Sequence, residues 1–159
     1  MAEEDVRVGM PAPDFRLPDA SDRDFHLSVE LTTGAVMLLF YPIDFGIVCS
    51  LEMRTFQGMM DEFEAKDVQV VGISRNSIMT HKQWKESMDL EIRLLSDEDG
   101  MVCTMYAGLQ SFGLLKDFPR RAVFIVDREG IIRYVWISTA EGLTPPFEEV
   151  RERIRTLDL

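Results

Sequence analysis

The stretch that decides the fold is Ala35-Val36-Met37-Leu38-Leu39-Phe40-Tyr41-Pro42-Ile43-Asp44-Phe45-Gly46-Ile47-Val48-Cys49. Its first seven residues are continuously apolar, which is typical of a short strand buried on both faces of a sheet. Pro42 has no backbone N–H to donate to a neighbouring strand, so it ends this strand. The stretch therefore predicts a buried strand that leads through a loop into a helix, with Cys49 in the first helical turn.

The helix that begins at about Cys49 is expected to continue to Ala65. Its apolar residues recur at i, i+3, i+4 and i+7, so they lie on one helical face; they are Phe56, Met59, Met60 and Phe63. Gly58 lies inside this predicted helix and costs about 1 kcal/mol relative to alanine.

Short apolar runs and amphipathic stretches continue to alternate along the rest of the chain, in the order β-α-β-α-β-α-β-β-α. This order predicts an α/β fold with a central mixed β-sheet flanked by helices on both faces. Parallel strands come first and a hairpin comes last, as in the thioredoxin fold. Phe25–Leu27 is predicted as a short edge strand. The other predicted elements are the strands Val68–Ser74, Ile92–Leu95, Ala122–Val126 and Ile131–Ile137, the helices from Asn76 or Ser77 to Met88 and at Met101–Tyr106, and a last helix opened by Pro145 and Pro146.

Composition restricts the domain count and the partners. The chain has 159 residues, of which 46% are hydrophobic, and this suits a single domain over residues 1–159. A net charge of −11 argues against binding to nucleic acid or to an anionic membrane. No apolar run approaches the roughly 18–20 residues of a membrane span, and the acidic N-terminus is unlike a targeting signal. Two cysteines give no disulfide framework, so we expect a cytoplasmic protein with reduced thiols.

Cys49 is the leading candidate for a reactive group. Backbone N–H groups in the first helical turn lack intrahelical partners and the helix dipole is positive there, so both favour thiolate over thiol. The thiolate is the nucleophilic form of cysteine. Open α/β sheets also bind ligands at the carboxyl ends of their strands, which is where Cys49 is placed. The alternative is a buried structural cysteine that acts as a small apolar residue.

The segment from Phe40 to Glu52, FYPIDFGIVCSLE, resembles the peroxiredoxin signature. The core of that signature is Pro, three residues, Thr or Ser, two residues and the peroxidatic Cys, with Glu three positions later. Gly46 departs from the signature at the Thr or Ser position. The resemblance continues in order over roughly residues 8–138, through segments 8–15, 70–74, 94–100 and 121–127.

This resemblance implies a thiol-dependent peroxidase that reduces hydrogen peroxide or organic hydroperoxides. Cys49 would attack the peroxide and become a sulfenic acid, which an external thiol reductant such as a thioredoxin-like protein would reduce. Arg121 would lower the Cys49 pKa and hold the peroxide oxygens, unless it is a surface arginine at a strand start. Pro42 would shield the thiolate from water. Glu52 would orient the arginine, unless it is only a first-turn carboxylate. We expect no cofactor and no metal.

Gly46 weakens the expected activity because it has no hydroxyl to contact the thiolate and the bound peroxide. One lost charge-assisted hydrogen bond is worth roughly 1.5–3 kcal/mol, or about 10–100-fold in rate. The alternative function is therefore a divergent redox sensor or interaction protein with weak peroxidase activity. A thioredoxin-type dithiol oxidoreductase is disfavoured because Cys49 is followed by Ser-Leu-Glu rather than by a Cys-x-x-Cys pattern.

Cys103 is the only other cysteine. It shares a predicted helical face with Val102 and Tyr106, which favours a core position over the role of a resolving cysteine. The chain is then expected to act as a one-cysteine enzyme, as a monomer or homodimer.

Overall fold

The computed structural model describes residues 6–140 and 142–159, and its centre is a five-stranded mixed sheet. The strand order is β5-β4-β3-β8-β9. Strands β3, β4 and β5 are parallel, whereas β8 is antiparallel to β3 and to β9. In the described residues the strands are β1 Arg16–Pro18, β2 Asp24–His26, β3 Ala35–Phe40, β4 Val68–Ser74, β5 Arg93–Ser96, β6 Leu109–Phe112, β7 Leu115–Pro119, β8 Ala122–Val126 and β9 Ile132–Ile137.

Helices cover both faces of this sheet, so the predicted thioredoxin-like α/β architecture is confirmed. The helices in the part of the chain that the structure describes are α1 Leu27–Glu30, α2 Ile47–Gln57, α3 Met60–Ala65, α4 Ile78–Met88, α5 Met101–Tyr106 and α6 Phe147–Thr156. Buried residues of α2, α3, α4 and α6 pack on one face, and those of α1 and α5 pack on the other. None of the helices in residues 6–140 and 142–159 is long and apolar enough to cross a membrane.

The β3 strand separates two core clusters. Its side chains alternate between the faces, as the period of two in a strand requires. Val36, Leu38 and Phe40 lie in the cluster that contains Cys103, whereas Met37 and Leu39 lie in the cluster that contains Cys49. Every residue of β3 is buried, as its continuous apolarity predicts.

The single helix predicted over 49–65 is wrong, because the structure divides it into α2 and α3. Gly58 is the C-cap of α2, and Met59 then bonds to the Phe56 carbonyl three residues back. The chain turns at this point, yet Phe56, Met59 and Phe63 are all buried in the same core cluster. The apolar period therefore predicts the buried face correctly, but it does not register the break at the glycine.

Two short hairpins lie outside the central sheet. The strand predicted at Phe25–Leu27 is observed at Asp24–His26, where it pairs with Arg16–Pro18. The β6–β7 hairpin over 109–119 was not predicted. Its described residues are mostly exposed or half-buried, so the segment has no apolar period that could indicate strands.

The first prediction concerns Gly34, which begins the pairing of β3 with β4. A Cβ at this position would lie 2.3 Å from the Asp67 carbonyl oxygen, which accepts the Ala35 N–H. We expect Gly34→Ala to lower the free energy of unfolding by about 1–3 kcal/mol, measured by urea denaturation. Gly58→Ala is the matched control, because its nearest contact is 3.4 Å and its φ is −64°. An unchanged Gly34→Ala variant would contradict this account.

Candidate active site

Cys49 lies at the carboxyl end of β3, in the first turn of α2. The helix begins at Ile47, two residues earlier than predicted, and the Ser50 N–H closes its first turn on the Gly46 carbonyl. The Cys49 residue is only 1% exposed and packs in the cluster that contains Tyr41 and Met53. The reactive candidate is therefore buried against the sheet.

Arg121 lies beside Cys49 because the two neighbouring strands are antiparallel. Phe40, at the end of β3, pairs with Ala122, at the start of β8, so the residue before β8 lies next to the β3–α2 loop. Arg121 Nη1 donates to Cys49 Sγ at 3.1 Å and to Glu52 Oε1 at 3.0 Å. Arg121 is 6% exposed, so the alternative of a surface arginine is wrong.

Glu52 completes a buried cluster with Cys49 and Arg121. It lies one helical turn after Cys49 and is fully buried. Its Oε1 accepts from Arg121, whereas Oε2 has no hydrogen-bond partner. Burial raises the pKa of Glu52 to about 7, although Arg121 opposes the rise. Near neutral pH the carboxyl group is therefore divided between its protonated and ionised forms.

The Cys49 thiol is subject to opposing effects. Burial is the largest and raises its pKa, and the neighbouring Glu52 carboxylate raises it further. Arg121 and a hydrogen bond from the Ile43 backbone lower it. The sequence prediction is right about the direction of the arginine's effect. Removal of the sulfur from water nevertheless outweighs these favourable contacts, so the net pKa of the thiol is raised.

Gly46 lies directly opposite the sulfur. It is the N-cap of α2, with φ −68° and ψ 145°, a conformation open to any L-residue. A Cβ built at Gly46 would lie 3.6 Å from Cys49 Sγ and 3.3 Å from Ile43 Cγ2. A hydroxyl on this carbon would therefore lie beside the sulfur. Pro42 is buried in the same loop, between the end of β3 and Gly46, and its shielding of the thiolate stays a prediction.

Cys103 lies on the opposite face of the sheet from Cys49. It is fully buried in the cluster of α1 and α5, as its helical face predicts. Burial raises its pKa far above the usual range, and the neighbouring Asp97 carboxylate, to which the thiol is hydrogen-bonded, adds to the rise. The Cys103 thiol is therefore held protonated, and the central sheet separates it from Cys49.

Sequence reasoning missed two buried polar side chains behind the loop, Asp44 and His81. Both are fully excluded from solvent and are hydrogen-bonded to each other. Asp44 lies inside the quoted segment, so its polarity within an otherwise apolar stretch was a signal, but nothing in the sequence identified His81 as its partner. Within residues 6–140 and 142–159, no group of three or more His, Cys, Asp or Glu side chains could hold a metal ion.

Comparison with known proteins gives consistent matches. The AhpC/TSA family model matches residues 8–135. A chloroplastic 2-cysteine peroxiredoxin from Chattonella marina var. antiqua is 35% identical over 162 residues, which cover 96% of this chain and 79% of that protein. The putative peroxiredoxin bcp of Coxiella burnetii is 35% identical over 135 residues, which cover 82% and 88%. The crystal structure of peroxidoxin BcpB from Mycobacterium tuberculosis superposes with a TM-score of 0.84 at 27% identity, covering 97% and 99%.

The second prediction concerns the Glu52 carboxyl group. Its pKa is raised from 4.5 to about 7, so between these values the folded protein holds a proton that the unfolded chain releases. Stability from this group is therefore present below pH 4.5 and is lost as the pH rises through 7. Glutamine does not titrate. We therefore expect the free energy of unfolding of Glu52→Gln, relative to that of wild type, to increase by about 3 kcal/mol as the pH is raised from acidic to mildly alkaline.

Urea denaturation of the reduced proteins on both sides of this window measures the difference. Glu148→Gln is the control, because Glu148 is exposed on α6. Parallel pH profiles for wild type and Glu52→Gln would show that Glu52 does not titrate in this window.

Proposed function

This chain belongs to the AhpC/TSA family of peroxiredoxins and is a thiol peroxidase, and we propose that Cys49 is its peroxidatic cysteine. The observation that carries the proposal is the 3.1 Å contact between Arg121 Nη1 and Cys49 Sγ in a buried position. The reported relatives are peroxiredoxins, which favours a peroxidase over the redox-sensor alternative. The substrate is a peroxide, and the family implies a thioredoxin-type reductant.

The buried cluster supports the chemistry of the first step. The Cys49 thiolate attacks one peroxide oxygen, the O–O bond breaks, and the departing hydroxide or alkoxide takes up a proton. Cys49 is oxidised to a sulfenic acid and the peroxide is reduced to water or an alcohol. Arg121 remains cationic and has N–H donors beyond Nη1 that can hold the peroxide oxygens. Glu52 fixes the arginine through its 3.0 Å bond.

The second step needs a thiol from outside this chain. Bridged cysteines have Cα atoms within about 7 Å, and here a sheet whose strands carry buried side chains on both faces lies between Cys49 and Cys103. Cys49 is also only 1% exposed, so a protein thiol reaches it only after the first turn of α2 moves outward. Reduction therefore proceeds through a mixed disulfide between Cys49 and the reductant, which a second thiol of the reductant resolves.

We propose further that the chain works as a single domain of residues 1–159, in the cytoplasm, as a monomer or homodimer. The two core clusters share one sheet, which supports a single domain, and both cysteines are free thiols, which suits a reducing compartment. Sedimentation equilibrium and cell fractionation test the assembly and the location.

The third prediction concerns the missing hydroxyl at position 46. We expect Gly46→Ser to raise the second-order rate constant for hydrogen peroxide by about 10–100-fold, because its hydroxyl can bond the thiolate. Stopped-flow tryptophan fluorescence measures the rate constant.

Gly46→Ala is the matched control for this experiment. It adds the same Cβ, with the same 3.3 Å contact to Ile43, but no hydroxyl. If the serine variant reacts no faster than the alanine variant, the missing hydroxyl is not what limits the rate.

The fourth prediction separates the two cysteines. After one equivalent of peroxide, we expect the intact mass to increase by one oxygen atom, with the oxidation confined to Cys49. Cys103→Ser should behave as wild type, and Cys49→Ser should not react. A mass loss of two hydrogens, absent in Cys103→Ser, would demonstrate a disulfide and overturn the one-cysteine cycle.

A further inference from the structure

A chain of buried hydrogen bonds lies behind the loop that carries Cys49. The Tyr41 hydroxyl donates to Asp44 Oδ1 at 2.6 Å, and Asp44 Oδ2 lies 2.6 Å from His81 Nδ1. The other ring nitrogen of His81, Nε2, lies 2.9 Å from the Leu95 carbonyl oxygen. The side chains of Asp44 and His81 are both 0% exposed, so no water competes for these bonds.

The proton positions follow from the partners. A carbonyl oxygen only accepts, so His81 Nε2 carries a hydrogen toward Leu95. The short Nδ1–Oδ2 contact then holds one more proton, because a lone pair facing a carboxylate would be repelled. Whether that proton resides on His81 or on Asp44, the buried pair has no net charge, and this neutrality makes its complete burial tolerable.

Asp44 is held by its backbone as well as by its side chain. Its N–H donates to Asn76 Oδ1 at 2.9 Å, and the same oxygen accepts from Ser74 Oγ at 2.9 Å. The loop is thus tied to the end of β4 and to α4, elements separated from it by more than twenty residues in the sequence. All of these ties converge on one residue.

Elsewhere in the loop, Phe45 has a ring contact with Trp84 at 6.3 Å between centroids. The side chains of Ile43, Phe45 and Ile47 are exposed, and Phe45 adopts a φ of +68°, which is unfavourable for a bulky residue. A strained, exposed loop keeps its shape only when the surrounding structure holds it. Asp44 follows Ile43, whose backbone lowers the pKa of the Cys49 thiol, and lies two residues before Gly46, where an added Cβ would be 3.6 Å from the sulfur.

We propose that Asp44 and His81 are positioning residues of the peroxidase reaction, which hold the loop so that the Ile43 and Gly46 backbones lie against the Cys49 sulfur. The proposal rests on the function proposed above for Cys49. Neither side chain contacts the peroxide, so both act through the geometry of the loop. Misplacement of the loop by about 1 Å is enough to slow such a reaction by up to about 100-fold.

The test compares two substitutions at one position. Asp44→Ala removes the side-chain bonds to Tyr41 and His81. Asp44→Asn keeps both, because the amide oxygen can accept from Tyr41 while the amide N–H donates to neutral His81. We expect the rate constant for hydrogen peroxide to fall by about 10–100-fold in the alanine variant and to remain within about threefold of wild type in the asparagine variant.

The rate of alkylation of Cys49 by iodoacetamide, measured as a function of pH, distinguishes a positioning role from a purely structural one. It gives the thiol pKa and the reactivity of the thiolate. In Asp44→Ala we expect the pKa to rise, because the Ile43 hydrogen bond is lost. At full ionisation we expect unchanged alkylation but slower peroxide reduction.

Asp14→Ala is the control for loss of an Asp–His pair away from the site. The Asp14–His26 contact of 2.8 Å is partly exposed and lies in a part of the chain that packs on the opposite face of the sheet. The substitution should leave both rates unchanged. If Asp44→Ala does not fold, Asn76→Ala takes its place, with an expected fall of at least threefold. It removes the acceptor of both the Asp44 N–H and the Ser74 hydroxyl but leaves the Asp44–His81 bond intact.

Wild-type rates in a folded Asp44→Ala variant, or in Asn76→Ala where it takes its place, would overturn the proposal, as would an asparagine variant as slow as the alanine variant. These outcomes differ from failure of the proposed function, in which wild type itself would react with peroxide no faster than a free thiol.

Discussion

Arg121 is one buried cation shared by two buried acids, and the site is organised around that constraint. Its Nη1 bonds both Cys49 Sγ and Glu52 Oε1 where water reaches neither acid. If both acids were ionised, the cluster would carry an uncompensated negative charge, and with one ionised it is neutral. Burial therefore raises the pKa of both acids, and one cation offsets only part of the cost. The site therefore favours a single negative charge over two.

The sheet topology allows Arg121 to contact both Cys49 and Glu52. Cys49 and Arg121 are 72 residues apart, and they meet because β8 begins beside the point where β3 ends. The parallel β3–β4 pair continues in the same region into the turn at Asn76, which holds the loop from its other side. The carboxyl end of β3 thus gathers a helix start, a strand start and a turn. At the opposite end of the β3–β4 pair, Gly34 lies close to the Asp67 carbonyl oxygen, where the pairing of the two strands begins.

The sequence predicted the central sheet because β3, β4 and β8 are short, apolar and fully or almost fully buried. It identified Cys49 and Glu52 through the signature and Arg121 through the later segment 121–127, and the structure brings these three together. It did not predict the β6–β7 hairpin, whose described side chains are mostly exposed or half-buried. The net pKa shift of Cys49 was also out of reach, since it depends on how deeply the sulfur is buried. The Asp44–His81 bond was not predicted because it joins residues 37 positions apart, and no local pattern encodes it.

Gly46 and the Asp44–His81 pair both affect the hydrogen bonds that reach the Cys49 sulfur. A hydroxyl at position 46 would bring its own hydrogen bond to the sulfur and could adjust by rotation about one side-chain torsion. Without it, the contacts that favour the thiolate are the Arg121 guanidinium and the Ile43 backbone. A backbone donor cannot rotate independently, so the geometry of its hydrogen bond depends on the conformation of the loop that contains it. The glycine therefore transfers part of the task from a side chain to the backbone, and a loop with exposed apolar residues and a strained Phe45 needs a firm buried anchor to perform it. Asp44, held by Tyr41, His81 and Asn76, has the bonds that such an anchor requires.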